Sequence, residues 1–459
     1  MKICLVSPYD FSVAGGVNDH IMHLAENFRA LGHTVKIIAP SSAQVVTEEG
    51  ADGIVADGDV YTVGHVTPIK ANGSVARISL SLNLSGKIKT ILRREQFDVV
   101  HIHEPLMPAL PLTVLAHSRV LNVGTFHAFA QSNIGYYYMR PVLRYFTARL
   151  DGRIAVSQPA VDFARRYFPG DYQIIPNGVS LERFKADQKL IPELNDGKLN
   201  IMFLGRISET RKGLKYLLRA FSLIKPQLPD VRLIIVGKGK ESGYRRYLEK
   251  HDIRDVIFTG FVSEEDKPRY YRSVHVFCAP SLGGESFGIT LIEAMASGLP
   301  IVASDIPGYA SVLEHGKQGF LVEPKNKEAL ARTLVHLLSD AELRRKMGEA
   351  ASLKADEYNW PKVSKRVLEF YERADNRRRA RIRLKRMRHN RRRNYGMGWL
   401  LGRRRLERKA AKKSLGEAAD SGSTGLNFAE YTLNKKTWDS PMQKAGTNKN
   451  AIQPDSRLG

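Results

Sequence analysis

The sequence predicts two doubly wound α/β domains in tandem, followed by a basic tail, and three observations carry that reading. Short apolar runs of strand length alternate with stretches of helical period, the arrangement of parallel sheets covered on both faces. The alternation runs twice: it breaks at IIPNGV (174–179) and at a polar stretch lasting through Asp196, in a chain whose 459 residues exceed one ordinary core. The net charge of +24 is also uneven, since Arg373 to Lys413 holds 19 Lys/Arg against two acids and leaves only +7 for the rest.

The first series opens with an apolar strand over 2–7. A loop, DFSVAGGV, precedes a helix with Val17, Ile21, Leu24, Ala25 and Phe28 on one face, and Gly32 stops it before a strand over 34–39. Gly15 and Gly16 at the helix entry let backbone N–H groups approach a phosphate, although a turn alone also asks for glycine. The G-x-G-x-x-G spacing of dinucleotide folds is missing here. Further strands are expected at 98–102, 120–126, 152–156 and 172–175.

The second series places strands at 199–204, 231–236, 256–259, 274–278, 300–303 and 319–322, with helices such as 214–228 and 327–338 between them. In such sheets ligands bind outside the carboxyl ends of the strands. The glycine loop, Gly205-Arg206 and the loop holding Glu285 all fall at strand ends, so the site is expected in a cleft between the domains. The domains are read as 1–176 and 177–357.

The stretch APSLGGESFGITLIEAMAS (279–297) passes from a strand through Gly283-Gly284 to Glu285 and then enters a helix. A carboxylate ahead of the free N–H groups of Phe287, Gly288 and Ile289 suits a ligand carrying hydroxyls and phosphate; a capped helix with a solvated Glu293 would look the same. Arg206, Arg211 and Lys212 cluster on one loop, where cations neutralise a diphosphate leaving group or are merely solvated. His127 follows a strand within FHAF, placed to hydrogen-bond a sugar hydroxyl or to serve structure. His101, His103 and Glu104 are a partial metal set without a fourth partner at ligand spacing, so no metal is expected.

Cys4 and Cys278 sit far apart inside apolar runs, reading as buried thiols of a reducing compartment. No run approaches the roughly 18 apolar residues of a membrane span. The chain opens on a strand with no signal-type region, so the expectation is a cytoplasmic protein whose membrane contact is peripheral. A helix bearing Lys87, Lys89, Arg93 and Arg94 among Ile88, Ile91 and Leu92 suits docking on an anionic bilayer, or is an ordinary solvated face.

Together, GGV (15–17), HIHEP (101–105), TFHAF (125–129), IPNGV (175–179), Gly205-Arg206, RKG (211–213) and ESFGITLIE (285–293), an E-x7-E signature, resemble the family-4 retaining glycosyltransferases of the GT-B fold. The resemblance covers 2–374. PYDFSVAGGV, NGSVAR, HIHEP and CAPSLGGESFGI bring it nearest to the phosphatidylinositol α-mannosyltransferases, which use GDP-mannose. It implies that Gly15, Gly16 and the Glu285, Phe287, Gly288 and Ile289 loop hold donor phosphate and sugar. By the same likeness Arg206 and Lys212 stabilise the departing diphosphate, Glu293 holds the ribose and His127 faces the reacting sugar. Tyr9, Asn72, Ser74, Arg77 and Arg211 would face the inositol phosphate of a lipid acceptor. The fold further implies a helix, 358–374, crossing back onto the first domain, no tightly bound cofactor, and no required metal.

Residues 375–459 are read as a basic tail without regular structure. Its arginine clusters flank Ile382, Leu384, Met387 and the WLL of 399–401, which suits an anionic phospholipid surface; nucleic acid is the rival partner. The function expected is transfer of mannose to a phosphoinositide-type lipid. Its rivals are another acceptor with a UDP-sugar donor, and a non-catalytic sugar-nucleotide- or RNA-binding protein.

Overall fold

A computed structural model describes residues 1–13, 15–42, 55–71, 74–79, 81, 84–130, 133–184 and 189–417. Its first sheet is built from β1 (Lys2–Val6), β2 (Thr34–Ala39), β3 (Val55–Asp57) and β4 (Val60–Thr62). A separate antiparallel pair, β5 (Val66–Ala71) and β6 (Ser74–Ser79), follows. The sheet is completed by β7 (Val99–His103), β8 (Leu121–Phe126), β9 (Gly152–Ala155) and β10 (Gln173–Ile174). The order is β10-β9-β8-β7-β1-β2-β4-β3, parallel except at the β3–β4 edge.

The second sheet comprises β11 (Leu199–Leu204), β12 (Val231–Val236), β13 (Val256–Gly260), β14 (Val276–Ala279), β15 (Ile301–Ser304) and β16 (Gly319–Val322). All its pairs are parallel, in the order β13-β12-β11-β14-β15-β16. Both sheets therefore grow outward from their first strand in two directions. The reversals lie beside β1 and β11, the places where doubly wound sheets open a crevice at their carboxyl ends. Central strands are buried along their whole length, as β7 and β12 are, because helices cover both faces.

Two chain crossings meet at the junction of the halves. Val179 N–H donates to the Tyr358 carbonyl (2.8 Å), and Trp360 N–H donates to the Val179 carbonyl (3.3 Å). Gly178 is required there: a Cβ would lie 2.4 Å from the Trp360 indole. Past Trp360 the last helix returns to the first half. Phe370 packs where Gly152 leaves room, and the Tyr371 hydroxyl lies 2.7 Å from His101 Nδ1.

One expectation needs correction. The last helix runs Trp360–Glu417, so residues 375–417 are helical where an irregular tail was expected. Alanine, leucine, lysine and arginine are good helix formers, and arginine clusters do not themselves interrupt a helix. Residues 418–459 lie outside the described ones. In the basic helix Leu84–Glu95, Ile88 and Ile91 are buried and Leu92 packs on the core. Its aliphatic side chains serve the domain, leaving Lys89, Arg93 and Arg94 to face outward.

Among the described residues, no helix is long and apolar enough to cross a membrane.

Candidate active site

A cavity of about 250 Å³ lies at the facing carboxyl ends of the two sheets, lined by Gly16, His20 and Asn177 on one side and Lys267, Ile289 and Glu293 on the other. The helices Gly16–Ala30 and Ile289–Ala296 bring their amino ends together there. A Cβ on Gly16 would come within 3.0 Å of Ile289 Cδ1. Neither helix is capped by a side-chain hydrogen bond; the second starts from Gly288, whose φ of +117° favours glycine. Their aligned dipoles favour an anion in the gap. Ser157 Oγ donates across the junction to the Ser286 carbonyl.

Glu285 lies in the loop after β14. Its Oε1 takes Arg211 at 2.6 Å and Lys212 at 2.8 Å. Glu209 in turn joins Arg211 (2.8 Å) to Arg206 (3.0 Å). Burial pushes the Glu285 carboxyl up, but Lys212 and Arg211 outweigh it and hold the group below the usual carboxylate range. Three cations against two carboxylates leave one positive charge in excess, and Arg206 is the most exposed of the five side chains. Tight backbone contact fixes the loop: a Cβ on Gly308 would lie 2.1 Å from the Glu285 carbonyl.

Glu293 is one turn into the helix and already partnered. Lys267 Nζ donates to its Oε1 (2.7 Å) and the Tyr271 hydroxyl to its Oε2 (2.9 Å). Burial opposes the charge on Lys267, yet Glu293 and Glu264 hold its pKa above the ordinary lysine value. Lys267 and Tyr271 carry no sequence signal of this role, because they lie more than twenty residues from Glu293 on another helix.

His127 stands at the end of β8. Its backbone N–H and that of Ala128 both donate to Glu104 Oε1 at 2.6 Å. Its Nε2 lies 3.0 Å from His103 Nδ1, and its ring is 4.9 Å from that of His20. His20 Nδ1 meets Asn177 Oδ1 at 2.9 Å. Burial lowers the pKa values of His20, His101, His103 and His127, to about 4 for His20 and about 3 for His101, so these four rings are neutral at physiological pH. Burial raises Glu104 to about 7 against the pull of the two N–H donors.

The partial metal set does not assemble. His101 is engaged at both nitrogens, by Tyr371 and by Thr125 (2.6 Å), and Glu104 holds the loop. Among the described residues, His20, His103 and His127 are the group with ring nitrogens within 4.8 Å of one another. Glu104, a candidate ligand by sequence, instead accepts the backbone N–H groups of His127 and Ala128 and so ties down the chain that carries His127. The available signal was an acid directly after an apolar strand; its φ of +48° turns the chain there.

Of the residues expected on the acceptor side, Tyr9 and Arg77 come together. Tyr9 bridges to Ile78 in β6, and Asp10 N–H donates to the Arg77 carbonyl (2.8 Å). The half-exposed Arg77 guanidinium lies 3.8 Å from the buried Asp10 carboxylate. Burial pushes Asp10 up, but donors from Ser12 and Ser42 win and hold it low. Burial, with Glu104 nearby, raises the Tyr9 hydroxyl pKa. Ser74 is in β6, while Asn72 lies outside the described residues. Arg211 is joined to Glu209 and Glu285 in the second half, as described above.

Comparison with known proteins adds to this geometry. The profile "Glycosyltransferase Family 4" matches residues 14–183, and "Glycosyl transferases group 1" matches 184–354. The phosphatidyl-myo-inositol mannosyltransferase of Mycolicibacterium smegmatis is 37% identical over 81% of this chain and 94% of its own length. Its namesake from Mycobacterium leprae is 37% identical over 81% and 96%. A solved glycosyltransferase from Rickettsia africae superposes with a TM-score of 0.63 at 20% identity, over 81% of this chain and 98% of that one.

Proposed function

Because the chain belongs to the family-4 glycosyltransferases of GT-B fold, we propose that it transfers mannose, with retention, from GDP-mannose to an inositol lipid at the inner membrane face. The observation that carries this is the convergence of Arg206, Arg211 and Lys212 on the Glu285 loop, beside two helix amino ends. Such an arrangement suits a diphosphate with a sugar attached. The named relatives, phosphatidyl-myo-inositol mannosyltransferases, supply the choice of sugar and acceptor.

The bond between the sugar C1 and the phosphate oxygen breaks as Arg206 and Lys212 take up the charge on the diphosphate. The acceptor oxygen bonds to C1 on the same face, and its proton passes to the departing phosphate. Before this, Lys212 must shift from Glu285 toward the donor diphosphate and Arg211 toward the acceptor's phosphate, which frees the carboxylate to accept hydrogen bonds from sugar hydroxyls. Gly15, Gly16, Phe287, Gly288 and Ile289 present backbone to the donor, and Glu293, steadied by Lys267 and Tyr271, receives the ribose. His127, neutral and held by Glu104, hydrogen-bonds the reacting sugar without adding charge. Tyr9, Asn72, Ser74 and Arg77, with Arg211, receive the inositol phosphate.

Docking at the membrane is supported by an exposed apolar surface close after His127. Ile134, Tyr137, Tyr138, Val142 and Tyr145 are each about half exposed or more, on helices that also carry Arg140 and Arg144. Tyrosines among arginines suit the headgroup level of an anionic bilayer, and they would hold the cleft near its lipid.

The test is a panel of GDP-mannose, UDP-glucose and UDP-N-acetylglucosamine, each with and without phosphatidylinositol vesicles. Labelled lipid from GDP-mannose and phosphatidylinositol alone is the expected outcome. Nucleotide release without labelled lipid would overturn the acceptor, and turnover of a UDP-sugar instead would overturn the donor.

A further inference from the structure

A second cavity, of about 370 Å³, lies between the returning helix and the β9–β10 edge of the first sheet, away from the proposed donor site. Five arginines line it: Arg153 from β9, and Arg373, Arg377, Arg378 and Arg381 from the helix. Asp151 and Asp171 are the acids in the lining, so the wall carries a surplus of three positive charges. The helix arginines lie beyond residue 354, where the matched profiles end.

Three of the guanidinium groups are held in place. Asp151, almost wholly buried, takes Arg381 and lies 3.5 Å from Arg378, which also donates to the Arg119 carbonyl (2.6 Å). Arg378 reaches Asp375 at 3.9 Å as well. Arg153 donates to the carbonyls of Pro169 (3.1 Å) and Thr147 (3.3 Å) and lies 5.6 Å over the Tyr172 ring. Gly170, at a φ of +149°, leaves the space it needs, since a Cβ there would meet Arg153 at 2.4 Å. Arg377 lies over the Phe370 ring at 5.9 Å, and Arg373 has a 4.0 Å contact with Glu369. Arg153 and Arg377 thus rest on neutral partners and keep their charge for a ligand.

We propose that this pocket binds a ligand carrying two or more phosphate groups. Guanidinium forks match phosphate oxygens in pairs, and Arg153, Arg378 and Arg381 need little further ordering on binding. The volume suits a small polyphosphate or the head of a bis-phosphate lipid. The ligand would span the helix and the β9–β10 edge, clamping the returning helix to the first domain.

The test uses the full chain, with inorganic tripolyphosphate as probe in calorimetric titrations. Arg373→Gln/Arg377→Gln changes two exposed side chains, so folding is expected to hold and is checked by circular dichroism. It should weaken tripolyphosphate binding at least about tenfold. Lys212→Ala, which removes a cation of the other cleft, should leave this binding event in place. Unchanged affinity in the double variant, or loss of the event in Lys212→Ala, would overturn the site. Phosphatidylcholine vesicles with and without cardiolipin then separate the sources: displacement of tripolyphosphate by the cardiolipin vesicles alone assigns the pocket to a lipid head, and no displacement assigns it to a soluble ligand.

Discussion

Lys212 Nζ lies 2.8 Å from Glu285 Oε1, and Arg211 reaches the same oxygen at 2.6 Å. One carboxylate thus holds two cations that the proposed chemistry turns toward phosphate, Lys212 to the donor's and Arg211 to the acceptor's. The pairing keeps a buried cluster near neutrality while the donor is away, and the donor must compete with it.

Lys212→Ala should therefore lower turnover on the order of 100-fold, the usual cost of removing one contact to a developing charge. Steady-state transfer and donor hydrolysis should fall together, with melting temperature little changed. Unaltered turnover would take Lys212 out of the reaction.

Acid should destabilise the protein. The buried histidines have folded pKa values below 6.5, so each contributes stability that is lost as pH falls through 6.5 toward the folded value. Glu104 has the opposite sign: raised to about 7, it contributes stability present at low pH and lost as pH rises through 7. The histidines outnumber it, so unfolding free energy in urea should climb between pH 5 and 6.5. Glu104→Gln removes the opposing group and should steepen that climb; a flat profile in both proteins would contradict the assignment.

Gly178→Ala should cost about 1–3 kcal/mol, because its Cβ would meet the Trp360 ring at 2.4 Å where both chain crossings meet. Thermal unfolding reads this directly. A Tm within a degree of wild type would mean that the junction can shift to admit a methyl group.

Two truncations should behave differently. Deleting 385–459 should weaken binding to anionic vesicles while sparing donor hydrolysis, since it removes cations beyond the unit spanning Met1–Leu384. Deleting 376–459 also strips Arg378 and Arg381 from the buried Asp151, at a cost of about 1–3 kcal/mol. Vesicle co-sedimentation and thermal melts of both proteins check this. Undiminished vesicle binding without 385–459 would place the membrane contact elsewhere, the Ile134–Tyr145 surface being the first place to look.

Hairpin β5–β6 shows how local cues can be missed. Its register pairs Ala71 with Ser74, and the sequence between them, Asn-Gly, is a dipeptide typical of two-residue turns, although those positions entered above only through a family resemblance. The aliphatic residues of Leu84–Glu95 left two readings open in the sequence. Mixed with cations they look like a bilayer face, and only packing reveals that Ile88 and Ile91 point into the core.

What the sequence determined by itself is everything that repeats or breaks locally. Apolar runs of strand length, helical period and glycine at turns are short-range physics, so both sheets, the loops at their strand ends and the position of Glu285 in one of them were legible. Tertiary structure alone decided the pairings: Arg211 with Glu285 across 74 residues, Glu104 under the N–H of His127, and Tyr371 against His101 across 270. No periodicity encodes such contacts. They arise because parallel strands far apart in the chain end side by side, and because burial then forces each polar group to find whichever partner the fold has brought within reach.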